Sequence, residues 1–254
     1  MNSVYLSVVI PVYNEEERII PALKEIIAYL SSRVNSPNGS PRMGPSDLWG
    51  WEIIVVDDGS KDQTVKCVEE FASRHKGIIL LTNSCNHGKG YVVRQGILSS
   101  KGEYVLFTDA DLSAPISEVE KLLFHLSKGY DIAIGSRALK GSNIKTSFGR
   151  RIIGLTFNFI VRVLLLPDIV DTQCGFKCFR GEMARELFKK QKMDGFSFDV
   201  ENLCLARMKG YRIKQIPVNW YQSFSTRVNL LRDPVKMFID VLKIWVRLKI
   251  RRQM

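Results

Sequence analysis

The 254-residue chain predicts an α/β fold, a mostly parallel sheet with helices on both faces. Three observations predict it. Strand-like and helix-like segments alternate through the first half. The composition is 45% hydrophobic, ordinary for a globular protein of one large domain or two small ones. Polar clusters follow one strand after another, where sheets of this kind bind their ligands.

The elements follow in order. Val4 to Val12 is β-rich and stops at the turn Tyr13-Asn14-Glu15-Glu16. From Ile19 to Leu30 the spacing is helical, with Ile19, Leu23, Ile26, Ile27 and Leu30 on one face. Asn35 to Asp47 is rich in Pro, Gly, Ser and Asn and reads as an exposed loop or insertion. Trp51 to Val56 is a second strand, ending at Asp57-Asp58-Gly59-Ser60. Asp62 to Ser73 reads as a helix and Gly77 to Thr82 as a third strand. A helix from Gly88 to Ser100 is entered through Gly88-Lys89-Gly90. Glu103 to Thr108 is the fourth strand, Ser117 to Ser127 a helix, and Asp131 to Gly135 a further strand. There is no internal repeat.

Asp109-Ala110-Asp111 closes the fourth strand. A buried strand ending in two carboxylates needs a cation or a donor cluster opposite them. Mg2+ and Mn2+ prefer such oxygen ligands and bridge readily to phosphate. For an isolated Asp-x-Asp, a solvated turn is the better explanation. Here, however, five polar clusters share one rim. Pro11, Tyr13, Asn14 and Glu15 leave the first strand, and Asp57 to Ser60 the second. Asn86, Gly88, Lys89 and Gly90 follow the third, Asp109 and Asp111 the fourth, and Ser136 and Arg137 the next. Together they fit a phosphorylated ligand held with a metal. No Gly-x-Gly-x-x-Gly follows the first strand, and no Walker-type phosphate loop occurs. Phosphate neutralisation therefore falls on a metal and on basic side chains.

Charge bounds the partners. The formal net charge is +11, which calls for an anionic partner. Nucleic acid, an acidic membrane face and phosphorylated substrates all satisfy it, but the acidic rim argues against a nucleic-acid surface. The five cysteines (Cys67, Cys85, Cys174, Cys178 and Cys204) show no zinc-ribbon spacing and read as thiols in a reducing compartment. His75, His87 and His125 have no metal or triad spacing. No signal peptide opens the chain. The best candidate span, Ile152 to Leu166, contains Asn158 and Arg162 and falls short of the roughly 20 residues a bilayer requires. It reads as a core helix or an interfacial one. From Pro234 to Arg252, Phe238, Val241, Leu242, Trp245 and Leu248 share a helical face among Lys236, Lys243, Arg247, Lys249, Arg251 and Arg252. That pattern is either an interfacial membrane helix or a packed helix with a solvated basic side.

Several motifs carry a family resemblance. Ser7 to Glu16, Ile54 to Thr64 and Asp109-Ala110-Asp111 resemble motifs of family 2 glycosyltransferases, which have the GT-A fold. Asn86-His87-Gly88-Lys89-Gly90, Gly135-Ser136-Arg137, Asp171-Thr172-Gln173-Cys174-Gly175-Phe176-Lys177 and Phe198-Asp199-Val200-Glu201 resemble dolichyl-phosphate β-glucosyltransferases and their bacterial polyprenyl-phosphate relatives. The resemblance covers nearly the whole chain, and the stretch from Asp171 to Lys177 is its most specific part.

The resemblance implies inverting transfer of a hexose, most simply glucose from UDP-glucose, to a polyprenyl or dolichyl phosphate. It implies that Pro11, Tyr13, Glu15 and Asp57 or Asp58 frame the uracil and ribose. Asp109 and Asp111 would hold Mg2+ or Mn2+ against the diphosphate, with Ala110 and Lys89 beside it. Arg137 and Arg150 would grip phosphate. Thr226-Arg227-Val228 stands where relatives carry Ser-Lys-Val, a departure in geometry that bears on the role of Arg227 at the lipid phosphate. Asp199 is a candidate general base, an orienting group, or simply an Asp at a helix N-terminus. Gln173 is a sugar contact or a strand-packing residue. Residues 1–228 are expected to form the catalytic domain, with a nucleotide-sugar half to about 137 and an acceptor half from about 138. Residues 229–254 would be a membrane-proximal tail. The protein is expected to be peripheral, on the cytosolic face of the endoplasmic reticulum in a eukaryote or of the plasma membrane in a prokaryote. The rivals are a mannose synthase-like activity, a non-lipid acceptor, and a non-enzymatic basic module binding lipid or nucleic acid.

Overall fold

The computed structural model describes residues 4–34, 50–145, 148–221 and 232–253. Strand β1 is Val4–Val12, followed by helix α1 at Ile19–Val34. Then come β2 (Gly50–Asp57), α2 (Thr64–Ala72), β3 (Ile78–Thr82), α3 (Lys89–Ser99) and β4 (Tyr104–Thr108). A 3-10 turn at Ile116–Glu118 leads into α4 (Val119–Ser127), then β5 (Ile132–Ser136), a short β6 (Ile144–Lys145) and α5 (Phe148–Leu164). The last third holds β7 (Phe176–Arg180), α6 (Gly181–Lys190), α7 (Phe198–Met208), β8 (Ile213–Pro217), β9 (Trp220–Tyr221) and α8 (Arg232–Gln253). The expected loop from Asn35 to Asp47 lies outside the described residues.

Seven strands form one sheet in the order β3-β2-β1-β4-β7-β5-β8. All neighbours are parallel except β7, which runs antiparallel to both β4 and β5. This inserted strand has a geometric consequence. Its first residues lie beside the last residues of β4, with Phe176 opposite Thr108. The segment entering β7 therefore reaches the rim where the parallel strands end. A two-stranded ribbon of β6 and β9 stands apart from the main sheet.

The period-two pattern of the strands divides the core. Val8, Ile10 and Val12 face α1 and α4, meeting Ile19, Leu23, Ile26, Leu122 and Leu126. Val9, Val56, Val105 and Phe107 face the opposite layer, meeting Val93, Ile97, Phe188, Phe198 and Leu203. Helices α5 and α8 join this second layer through Phe157, Val161, Val241 and Ile244. No helix among the described residues is long and apolar enough to cross a membrane.

Candidate active site

The rim begins at the ends of β1 and β2. Asn14 takes a left-handed conformation (φ 55°), so the chain turns sharply out of the sheet. Its backbone N–H donates to Ser60 Oγ at 2.8 Å, and its Oδ1 accepts from the Lys61 N–H at 2.7 Å. Glu15 holds Arg18, whose Nε donates to Oε2 at 2.6 Å. The two adjacent aspartates differ in what they do. Asp58 accepts from the His87 N–H at 2.7 Å and the Gly88 N–H at 2.9 Å, so it ties β2 to the turn before α3. Burial pushes its pKa up in spite of those two donors. Asp57 accepts from the Gly59 and Ser60 amides through Oδ2, while its Oδ1 is buried and has no protein partner. Of the pair, Asp57 is the one with an acceptor left for a ligand.

At the end of β4, Asp109 Oδ1 meets Lys89 Nζ at 2.5 Å. The Asp111 carboxylate accepts from the Ser113 N–H at 3.0 Å. Burial and then the neighbouring Asp109 charge raise the Asp111 pKa, as expected where like charges crowd. Lys89 shifts upward too. Burial alone would lower it, but Asp109 and Asp199 outweigh that. Gly175 explains how the segment before β7 comes so close. A Cβ there would sit 2.7 Å from Asp109 Cγ, which van der Waals contact forbids. Gly88 is similarly required, having φ 106° and the Asp194 carbonyl within 2.6 Å of where a Cβ would stand.

Lys177 and Asp199 form a buried ion pair at 2.7 Å, with the lysine side chain only 1% exposed. Lys177 Nζ also donates to the Cys174 carbonyl at 2.6 Å. Asp199 stands in the first turn of α7, where the helix dipole favours an anion. Burial raises its pKa, and Lys177 and Lys89 partly offset the rise. Asp109, Lys89, Asp199 and Lys177 thus make an alternating series of charges across the rim, with Asp111 as a second anion beside Asp109.

Arg137 leaves β5 and closes on Asp171. Its Nε donates to Oδ2 at 2.8 Å and its Nη2 to Oδ1 at 2.9 Å, while the backbone N–H adds a third bond at 2.9 Å. Burial would raise the Asp171 pKa, but the guanidinium holds it at about 2. The Trp220 ring lies 5.0 Å from Arg137 Cζ. The expected phosphate-gripping arginine is therefore clamped along one edge and backed by an aromatic face. Gln173 sits beside this clamp, its amide N–H bonded to Asp171 Oδ1 and its side-chain Nε2 buried without a protein partner.

The structure brings together Pro11, Tyr13, Glu15, Asp57, Asp58, Lys89, Asp109, Ala110, Asp111, Arg137, Gln173 and Asp199 at strand ends or the segments beside them on one rim. Ala110 is buried and packs into the core. Arg150 lies on α5, but its side chain is outside the described residues, as are Thr226 and Arg227. Asp171 and Lys177 were within a recognised motif but carried no expected role. Their clamp and ion-pair partners, Arg137 and Asp199, come from separate elements, so no local pattern reveals the two pairings. All five cysteines are free, and Cys174 and Cys178 are buried. Burial pushes the Cys174 thiol up to about 12, which suits packing and not nucleophilic chemistry.

A covered sheet with an acidic pair closing its fourth strand is the frame of a GT-A glycosyltransferase. The profile of glycosyl transferase family 2 matches residues 7–188, and the chain belongs to that family. It is 36% identical over 256 residues to the dolichyl-phosphate beta-glucosyltransferase of Homo sapiens, covering 95% of this chain and 75% of that protein. The enzyme of the same name from Saccharomyces cerevisiae is 36% identical over 258 residues, covering 94% of this chain and 73% of that one. Among solved structures, glucosyl-3-phosphoglycerate synthase from Mycobacterium tuberculosis, in complex with Mn2+, UDP-glucose and phosphoglyceric acid, superposes with a TM-score of 0.69. That match has 19% identity and covers 95% of this chain and 79% of the other. It shows the shared fold.

Proposed function

We propose that the protein transfers glucose from UDP-glucose to a polyprenyl phosphate of the dolichyl type, releasing UDP. The observation that carries this is the match to dolichyl-phosphate beta-glucosyltransferases over nearly the whole chain, with the motif residues converging on one rim. The reaction is an inverting displacement. An acceptor phosphate oxygen forms a bond to the anomeric carbon as the bond to the UDP oxygen breaks. That phosphate is anionic near neutral pH and needs little help from a base. Asp199, ion-paired and buried, suits an orienting role better than proton abstraction. Gln173 Nε2 offers an unused donor to a sugar hydroxyl. Arg137, fixed by Asp171, keeps its remaining donors for phosphate. Pro11, Tyr13, Glu15 and the free oxygen of Asp57 frame the nucleoside.

A divalent ion fits Asp109 and Asp111. The two carboxylates are hard oxygen donors, and burial together with the neighbouring Asp109 charge raises the Asp111 pKa, an environment that a shared cation would relieve. With few protein ligands, Mg2+ or Mn2+ would complete its shell from phosphate oxygens and water. Bound there, it would supply Lewis-acid stabilisation of charge on the leaving diphosphate.

The same reading places the protein against a membrane. Helix α5 leaves Leu155, Phe159 and Val163 exposed at helical spacing, Phe159 by 65% and Val163 by 67%. Helix α8 leaves Val235, Phe238, Ile239, Leu242 and Val246 exposed, and the two helices pack together. Apolar stripes on a basic helix suit an interface with anionic headgroups. Residues 1–228 would then be the catalytic body and 229–254 its membrane-proximal tail, on the cytosolic face where nucleotide sugars are supplied. The test is a panel of labelled nucleotide sugars offered with a polyprenyl phosphate, with and without EDTA. Label from UDP-glucose should enter the organic phase and stop with chelation. Preferential transfer from GDP-mannose would overturn the donor, and transfer only to water-soluble acceptors would overturn the acceptor.

A further inference from the structure

One buried carboxylate links the C-terminal helix to the donor side of the rim. Glu201 lies on α7, two residues beyond Asp199, and is only 4% exposed. Its Oε1 accepts from Arg247 Nη1 of α8 at 2.6 Å. Its Oε2 accepts from the backbone N–H groups of Lys192 and Met193, both at 2.7 Å. Those amides belong to the turn between α6 and α7, which supports the first turn of α3. Gln191 Nε2 donates to the Gly90 carbonyl at 2.8 Å, and the Tyr91 N–H donates to the Asp194 carbonyl at 3.1 Å. A Cβ at Gly90 would meet the Met193 carbonyl at 2.6 Å, so the two segments are in close backbone contact. Between Gly88 and Gly90 stands Lys89, paired with Asp109.

We infer that Arg247 and Glu201 are a positioning pair that sets the Lys89 turn according to how α8 is seated. Val241 and Ile244 seat the same helix in the core, so Arg247 is held on the side facing α7. Without the cation, Glu201 keeps a buried charge supported by two amides on one oxygen and nothing shown on the other. A buried charge stripped of its partner forces its surroundings to rearrange. The nearest yielding segment is the turn at 191–195, and movement there shifts the Gly88-Lys89-Gly90 backbone. This rests on the donor-site reading above for its functional sense, while the linkage itself is one of contacts. Anything that lifts or seats α8, a lipid surface included, would then be felt at Asp109.

The test uses the full chain with Arg247→Met, which removes the charge and keeps the stem, and Arg247→Lys, which retains a cation. Hydrogen exchange is followed by mass spectrometry, and UDP affinity in Mn2+ by calorimetry. Arg247→Met should speed exchange in the segments at 88–93 and 191–195 by about tenfold while leaving α1 and α2 unchanged. It should weaken UDP by about fivefold, with Arg247→Lys recovering most of both losses. Glu182→Gln, an exposed residue of α6, should alter neither. Exchange in the two segments matching wild type, or rising equally in α1, would overturn the inference. Should Arg247→Met fail to fold, Glu201→Gln decides on the same readouts, since it keeps an acceptor for the two amides and loses the ion pair. Wild-type protein that binds no UDP would instead sink the donor-site reading, leaving the exchange comparison to judge the pair.

Discussion

Asp171 shows how much of this rim is held by carboxylates that a substrate would never touch. Its side chain is buried and receives three hydrogen bonds from Arg137. Its pKa is held at about 2, below the ordinary 3.8. A depressed carboxylate contributes stability that is complete above its unfolded pKa and lost as pH falls through the folded one. The window here runs from about pH 4 down to about 2, and the contribution is on the order of 2 kcal/mol. Asp171→Asn should therefore be less stable than wild type at pH 7. The gap should narrow as the medium is acidified through that window, as denaturant melts at several pH values would show. Loss of the clamp should also cut turnover by more than about tenfold, because Arg137 would no longer be aimed. An unchanged rate would mean that Arg137 does not need Asp171 to do its work. The motif containing Asp171 is visible in the sequence. Its pairing with Arg137 is not, because the two meet only when β5 and the segment before β7 share a rim.

At the scale of elements, α5 and α8 each bury one face and expose an apolar stripe. The buried residues are Phe157 and Val161 on one helix and Val241 and Ile244 on the other. Replacing Phe159 and Phe238 together with serine removes two large exposed side chains and disturbs neither set. Binding to vesicles containing acidic lipid should fall by at least about tenfold, as expected from lost apolar burial at an interface. UDP binding in solution should be unchanged. Sedimentation with vesicles checks the first and calorimetry the second, and undiminished vesicle binding would refute the membrane face. The periodicity of α8 left an interfacial helix and a packed one equally open, and the structure shows why. Val241 and Ile244 pack, while Phe238 and Leu242 on the adjoining side do not. The strands and helices from Val4 to Ser136 are legible because each apolar run is short, periodic and closed by a polar turn. Strand β7 is not. Lys177 interrupts its apolar pattern, and the Asp199 that makes that lysine tolerable lies in another element.

For the whole molecule, the buried pair of Lys177 and Asp199 ties the sheet to the helical layer on one of its faces. Lys177 sits in the strand that separates β4 from β5, and Asp199 heads the helix packed beneath it. Lys177→Met should cost about 3–5 kcal/mol, since it strips a buried carboxylate of its ion-pair partner. Adding Asp199→Asn should return part of that loss without restoring activity. Thermal melts and turnover measured on the same samples separate the two effects. If the double variant is no more stable than the single, the pair is not what sets the cost.

The reversed strand β7 also dictates when the rim can exist during synthesis. Until residues 176–180 have emerged, β4 has an open edge and β5 has no neighbour on that side. The nascent chain must hold a sticky, half-finished sheet while everything from Asp109 to Gly175 is made. Joining β5 to the rest of the sheet and bringing Gln173 and Gly175 to the rim are then a single late event. A chain arrested before β7 would have neither a sealed core nor a place for sugar.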